Sequence, residues 1–180
     1  CGAHVGVDSI QWLKLLPKAT VHSFEPVPTI FESLKRNTRR YKNIYCYPIA
    51  LSDNKGLAKF HISAGASDAS SSLLSPKNHL LSHPDVTFEN SIEVNTNTLE
   101  DWAKENGIQK VDFLWLDMQG FEYNMLKTSQ HFLSQTSVIY TEVSLIDDTY
   151  EGVIQYKQFK KWLRGIGFLP VIEALPQNAD

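Results

Sequence analysis

The run VDFLWLD, from Val111 to Asp117, is short, apolar and ends on a carboxylate. Two other runs share that form: VHSFE ending at Glu25 and VIYTE ending at Glu142. Apolar runs of this length bounded by polar segments read as buried parallel strands. Their terminal acids would then lie along one sheet edge. In an open α/β sheet that edge is where ligands bind, so acids there suit hydroxyl, amine or cationic groups. The chain opens on the small-residue turn CGAHVG, whose Gly6 stands 19 positions before Glu25. That is the spacing of a β-turn-α-β-acid unit for a nucleoside.

Helical and strand patterns alternate outward from these runs without an internal repeat. Asp8 or Ser9 is expected to cap a first helix carrying Ile10, Trp12, Leu13 and Leu16. After Glu25, Pro26 and Pro28 stop the strand, and Val27, Ile30, Phe31 and Leu34 form the stripe of a helix lying on a sheet. A strand is expected over Asn43 to Ala50, another over Leu57 to Ile62, and a short one over Ser91 to Asn95. Ser63 to Asp85 lacks periodicity and reads as a long loop with one helical turn, of the kind that is usually functional. Thr98 to Asp101 matches a capping box, and Gly107 a helix stop. The strand ending at Asp117 leads through Gly120 into a helix from Glu122, whose acid suits a helix N-terminus. A strand over Ser137 to Val143, a helix over Val153 to Arg164 and a strand over Phe168 to Glu173 complete the pattern. It predicts helices on both faces of a mostly parallel sheet.

With 180 residues, 42% hydrophobic and 21% charged, the chain fits one domain over 1–180 with a loop at about 63–85. A glycine turn needs a strand before it, so the expectation is a chain that lacks its first strand; the segment VIEALPQNAD likewise has no closing partner strand. A net charge of -3 and a pI near 6.1 carry no nucleic-acid footprint, and the basic cluster Lys35 to Lys42 reads as a solvated face. Two cysteines, Cys1 and Cys46, imply no disulfide framework. No apolar stretch reaches membrane-spanning length and no leader pattern opens the chain, so a cytoplasmic location is expected.

A dinucleotide turn usually repeats glycine so that backbone closes on a pyrophosphate, but His4 sits where the second glycine would be. S-adenosylmethionine has no phosphate and asks only for a tight turn and an acid for its ribose, which Gly2, Gly6 and Glu25 supply. Methyl transfer from a sulfonium needs alignment above all, with a general base if the acceptor is a hydroxyl. Asp117 is the first candidate for the methyl-transfer site and Glu142 the second; either acid has the alternative of holding the cofactor's ammonium or capping a helix. His79 and His83, four apart but without a third ligand, read as substrate-loop residues and not as a metal site.

The strings FEPVPTIFESLKRN, PIALSDNKG, SSLL, NTLEDW, DFLWLDMQGFEYNML and KKWLRGIGF resemble, in order and spacing, the FkbM-type methyltransferases. The most specific parts are FEP around Glu25 and D-x-x-G-x-E at Asp117, Gly120 and Glu122. The resemblance implies a Rossmann-like, S-adenosylmethionine-dependent enzyme that methylates an oxygen of a sugar, glycan or other small molecule. It puts Gly2, Ala3 and Gly6 under the methionine part, Glu25 on the ribose, Ala50, Leu51 and Asp53 near the adenine, and Ser71 and Ser72 in a small SSL element. The chain departs from the family pattern in lacking the acid before the glycine turn and in carrying Gln119 where Glu is commoner. Two other readings stand beside this one. One is a nicotinamide-dependent oxidoreductase using Tyr156 and Lys160; the other is a non-catalytic ligand-binding module.

Overall fold

Gly6 closes the opening turn with φ +87, and helix α1 (Val7–Leu15) starts directly after it. The expected caps Asp8 and Ser9 therefore fall inside the first turn, because the left-handed glycine occupies the cap position without a side chain. Ser9 turns inward instead, and its Oγ lies 2.8 Å from Ser23 Oγ on strand β1 (Val21–Phe24). In helix α2 (Pro28–Thr38), Pro28 occupies the first turn, where a missing N–H costs nothing. Leu34 and Thr38 face inward, where a Cβ on Gly6 would lie 2.7 Å from Leu34, so the two helices approach closely only because position 6 is glycine. The computed structural model describes residues 1–145 and 149–174.

β1 pairs in parallel with β2 (Ile44–Tyr47), Val21 opposite Ile44 and Phe24 opposite Tyr47. The strand expected over Asn43 to Ala50 is split, because Pro48 has no N–H to continue the ladder. Its last residues form β3 (Ala50–Leu51), which joins a different sheet. There β3 runs parallel to β5 (Val86–Asn97), and β5 is antiparallel to β4 (Gly56–Gly65). Both strands are longer than their apolar patterns predict. Between them the chain makes a backbone bridge from Ser72 to His61 and one helical turn, α3 (His79–Ser82).

α4 (Leu99–Glu105) opens on Thr98, whose Oγ1 accepts from Asp101 N at 3.0 Å, and stops before Gly107. Thr98→Ala should cost about 1 kcal/mol in urea unfolding, the usual worth of such a cap; an unchanged midpoint would count against it. β6 (Val111–Leu116) pairs in parallel with β7 (Thr136–Thr141), with α5 (Glu122–Lys127) and α6 (Gln130–Leu133) between them. α7 (Tyr156–Gly165) buries Phe159 against the main core, which includes Leu116, Met125 and Leu126. A smaller cluster of Val27, Ala50, Phe60 and Val94 lies beside it.

The architecture is thus α/β with several parallel strands and helices. Among the described residues the ladders form two parallel pairs and one mixed three-stranded sheet, and the longest pairing is antiparallel. Residues 1–3 link the two parallel pairs at their C-terminal ends: Ala3 N donates to Phe24 O at 2.9 Å, and Asp117 N to Cys1 O at 3.2 Å. The strand expected over Phe168 to Glu173 is not formed. No ladder bonds its backbone among the described residues, and Leu169, Val171 and Ile172 are exposed. Trp115 of β6 is half-buried; it stacks on Tyr140 at 4.1 Å and packs against Trp12.

Candidate functional site

A cleft of about 660 Å³, its mouth included, opens where β1 and β6 end. Parallel strands deliver their C-terminal residues to one edge, and here those residues are Glu25 and Asp117. Gly2 and His4 of the opening turn, Ala50 and Leu51 of β3, and Asp68, Ala69, Ser71 and Leu73 of the segment after β4 also line the cleft. The lining mixes apolar side chains, among them Ile30, Ile49, Leu51 and Phe60, with the acids and with Ser71 and Gln119.

Glu25 is only 5% exposed, so its carboxylate needs partners. It has two: Oε2 accepts from His4 N at 3.0 Å and Oε1 from Val27 N at 2.9 Å. Burial pushes the carboxyl above its ordinary value, and these two backbone bonds pull it back. The acid therefore ties the opening turn to the β1–α2 junction while lining the cleft. Gly2 has no substitute there. At φ +72 a Cβ would sit 1.8 Å from Asp117 O, so only a bare backbone passes between the two strand ends.

Among the described residues, two other than glycine adopt left-handed backbone, His4 at φ +46 and Gln119 at φ +52, and both line the cleft. Such strain persists where surrounding structure over-determines it, characteristically at functional sites. His4 Nε2 lies 3.0 Å from Asp68 Oδ1, joining the opening turn to the segment on the other wall. Asp117 accepts from Gln119 Nε2 at 2.7 Å; burial raises its carboxyl, and that bond opposes the rise. Glu122, 5% exposed, accepts from Met118 N at 2.7 Å and holds the turn after β6; burial pushes it up to about 7. Glu122 thus stands at the N-terminus of α5, as its position in the sequence implies, with its side chain reaching back into the turn.

Of the residues singled out from sequence, Gly2, Glu25, Ala50, Leu51, Ser71 and Asp117 line the cleft. Ala3 and Gly6 shape the turn beneath it. Asp53 lies beyond β3, where its Oδ1 accepts from Ser52 Oγ at 3.3 Å. Ser72 is fully buried and spends its hydroxyl on Gln119 O at 2.9 Å, so it braces the wall and does not face the cleft. Glu142 follows β7, exposed and outside the lining; the desolvation it does undergo raises its carboxyl, and the Asp117 charge adds to the rise. His79 and His83 do not line the cleft. They stack on each other at 4.7 Å, and His79 is buried against Phe88 and Tyr150. Among the described residues no three His, Cys, Asp or Glu side chains converge as metal ligands, and no helix is long and apolar enough to cross a membrane.

Sequence reasoning missed His4, Asp68, Gln119 and Tyr150 as parts of the site. Tyr150 OH donates to Ser70 O at 2.7 Å and also contacts Gln119 Oε1 at 3.3 Å. The local signal for Gln119 was its place before Gly120 after an acid-ended strand; Tyr150 carried none.

Fold and site together define an α/β protein with an acid-lined ligand cleft at the C-terminal edge of its parallel strands. The chain belongs to the FkbM methyltransferase family: the methyltransferase FkbM domain matches residues 1–170. It is 33% identical over 181 aligned residues to the 2-O-methyltransferase NoeI of Sinorhizobium fredii (strain NBRC 101917 / NGR234), an alignment covering 98% of this chain and 72% of that protein. No solved structure matches the chain significantly. The protein is a methyltransferase.

Proposed function

We propose that this methyltransferase takes its methyl group from S-adenosylmethionine and delivers it to a hydroxyl oxygen of a sugar or other small molecule. The charge of the cleft carries the reading. Glu25, Asp68 and Asp117 line it, and among the described residues no Lys or Arg does. A ligand bearing a sulfonium and an ammonium suits such walls, whereas the pyrophosphate of a nicotinamide dinucleotide would meet carboxylates without a cation to offset them. Tyr156 and Lys160, the pair an oxidoreductase would use, lie on α7 outside the lining, and Lys160 bonds Glu173 at 2.6 Å.

The cofactor supplies a methyl group already activated on positive sulfur, so the chain's task is alignment and proton removal. Each Glu25 oxygen accepts one backbone N–H and retains acceptor capacity for a ribose diol. Ala50, Leu51, Ile30 and Phe60 offer the apolar slot for adenine. Asp117, which also lines the cleft, is the acid of this reading for the methyl-transfer site, and Glu142, outside the lining, is the second candidate. Ser71 and Asp68 bring the segment after β4 into the lining, and this reading assigns that segment to the acceptor. The NoeI relative, a 2-O-methyltransferase, supports oxygen as the acceptor atom.

Calorimetry of the full chain should register S-adenosylmethionine and remain silent with NADH. Methyl-labelled donor offered with a panel of sugar and natural-product hydroxyls should then give a product heavier by one methylene. Binding of NADH with silence toward S-adenosylmethionine would overturn the proposal.

A further inference from the structure

Gln119 holds a left-handed backbone that residues of its type rarely take, yet nothing in the cofactor reading uses its side chain. The amide is nevertheless bonded on both arms. Nε2 donates to Asp117 Oδ1 at 2.7 Å, and Oε1 lies 3.3 Å from Tyr150 OH. Its orientation follows from the partners, since an ionised carboxylate only accepts and must face the NH₂. The backbone is held as well, because Gln119 O accepts from Ser72 Oγ at 2.9 Å. Tyr150, 3% exposed, is itself anchored by its bond to Ser70 O.

We propose that Gln119 is a positioning residue for Asp117: one amide arm fixes the carboxylate at the cleft wall, while Tyr150 and Ser72 hold Gln119 from behind. The inference rests on the assignment of Asp117 to the methyl-transfer site. A carboxylate at the end of a strand turns about two side-chain torsions, and alignment of the reacting groups is the main catalytic resource of this chemistry. The bond occupies Oδ1. Oδ2 takes no bond from the described residues and is left for the acceptor's proton.

The same bond favours the charged form of Asp117 against the burial that disfavours it. Other groups bear on that balance. Asp8 of α1 pushes the carboxyl up, whereas His4 pulls it down; Glu122 and Glu142 lie within electrostatic reach. Of the groups that favour ionisation, Gln119 makes the largest contribution.

Two variants test the proposal. Gln119→Met removes the donor at nearly constant length. Gln119→Asn tolerates the left-handed backbone but is too short to reach Asp117, so it guards against a variant that fails for backbone reasons. Carboxyl titration of Asp117 by NMR on the full chain, with no acceptor present, should move upward by about one pH unit in both variants. Methyl transfer to any acceptor found for the parent should fall about tenfold in kcat, with the acid limb of its pH profile moving the same way and the KM for S-adenosylmethionine within about threefold. An unmoved Asp117 titration in both folded variants overturns the proposal, as does a parental kcat in Gln119→Met. Asp117→Asn separates the two layers. Parental methyl transfer in that variant overturns the site assignment itself, whereas the titration of Asp117 in the Gln119 variants still decides whether Gln119 governs it.

Discussion

Glu25→Ala is expected to weaken S-adenosylmethionine binding tenfold or more and to loosen the turn that forms the floor of the cleft. The carboxylate accepts from His4 N and Val27 N in a site where Glu25 is almost fully buried. Truncation leaves both donors without an acceptor, at about 1–3 kcal/mol for each that stays buried. The ligand also loses hydrogen bonds to a charged group, worth about 1.5–3 kcal/mol, or roughly one to two decades of affinity. Glu25→Gln should fall between parent and Ala, since its one carbonyl serves one N–H while its NH₂ confronts the other. Calorimetry reads the affinity and thermal unfolding the turn. Unchanged affinity would defeat the ribose assignment; unchanged Tm would show that the two N–H groups find other acceptors.

Glu25 is legible in the sequence because its information is local: an apolar run, an acid at its end, and a small-residue turn at fixed distance. The same holds for Asp117, for Thr98 as a cap and for Pro28 at the start of α2. The hairpin of β4 and β5 is foreshortened in the hydropathy pattern for the opposite reason. Its buried positions include Ser63, Thr96 and Asn97, so hydropathy does not trace the face that is covered. Residues 168–173 fail the other way: they are apolar, yet no described neighbour pairs with them, and apolarity alone does not make a ladder.

The wall of the cleft is illegible in the sequence because distant residues assemble it. His4 meets Asp68 and Gln119 meets Tyr150 across 64 and 31 positions of chain, with no local pattern marking either pair. His79 and His83, read as substrate-loop residues, lie outside the lining and stack in an aromatic cluster. Burial holds the His79 imidazole below its ordinary value and the neighbouring His83 adds to that, so the ring suits an aromatic cluster better than a charged role.

Glu122→Gln should change how stability depends on pH more than any other single substitution near the cleft. Burial pushes the folded-state carboxyl from the ordinary 4.5 to about 7, with the charges of Asp117 and Glu142 adding to the rise. Between those values the folded chain holds a proton that the unfolded chain has released. Stability linked to Glu122 is therefore complete below about pH 4.5 and is lost as pH rises through about 7. The full difference corresponds to about 3 kcal/mol. Glutamine keeps an oxygen for Met118 N and carries no charge at any of these pH values, so the variant should show a flatter profile. Its NH₂ needs an acceptor of its own, which lowers its stability at every pH without restoring the slope. Urea unfolding at pH 5 and pH 8 separates the two effects, because only the charge changes with pH. An equal loss of stability in parent and variant between those two conditions would mean that Glu122 ionises as freely in the folded chain as in the unfolded one, and that water reaches a carboxylate the fold encloses.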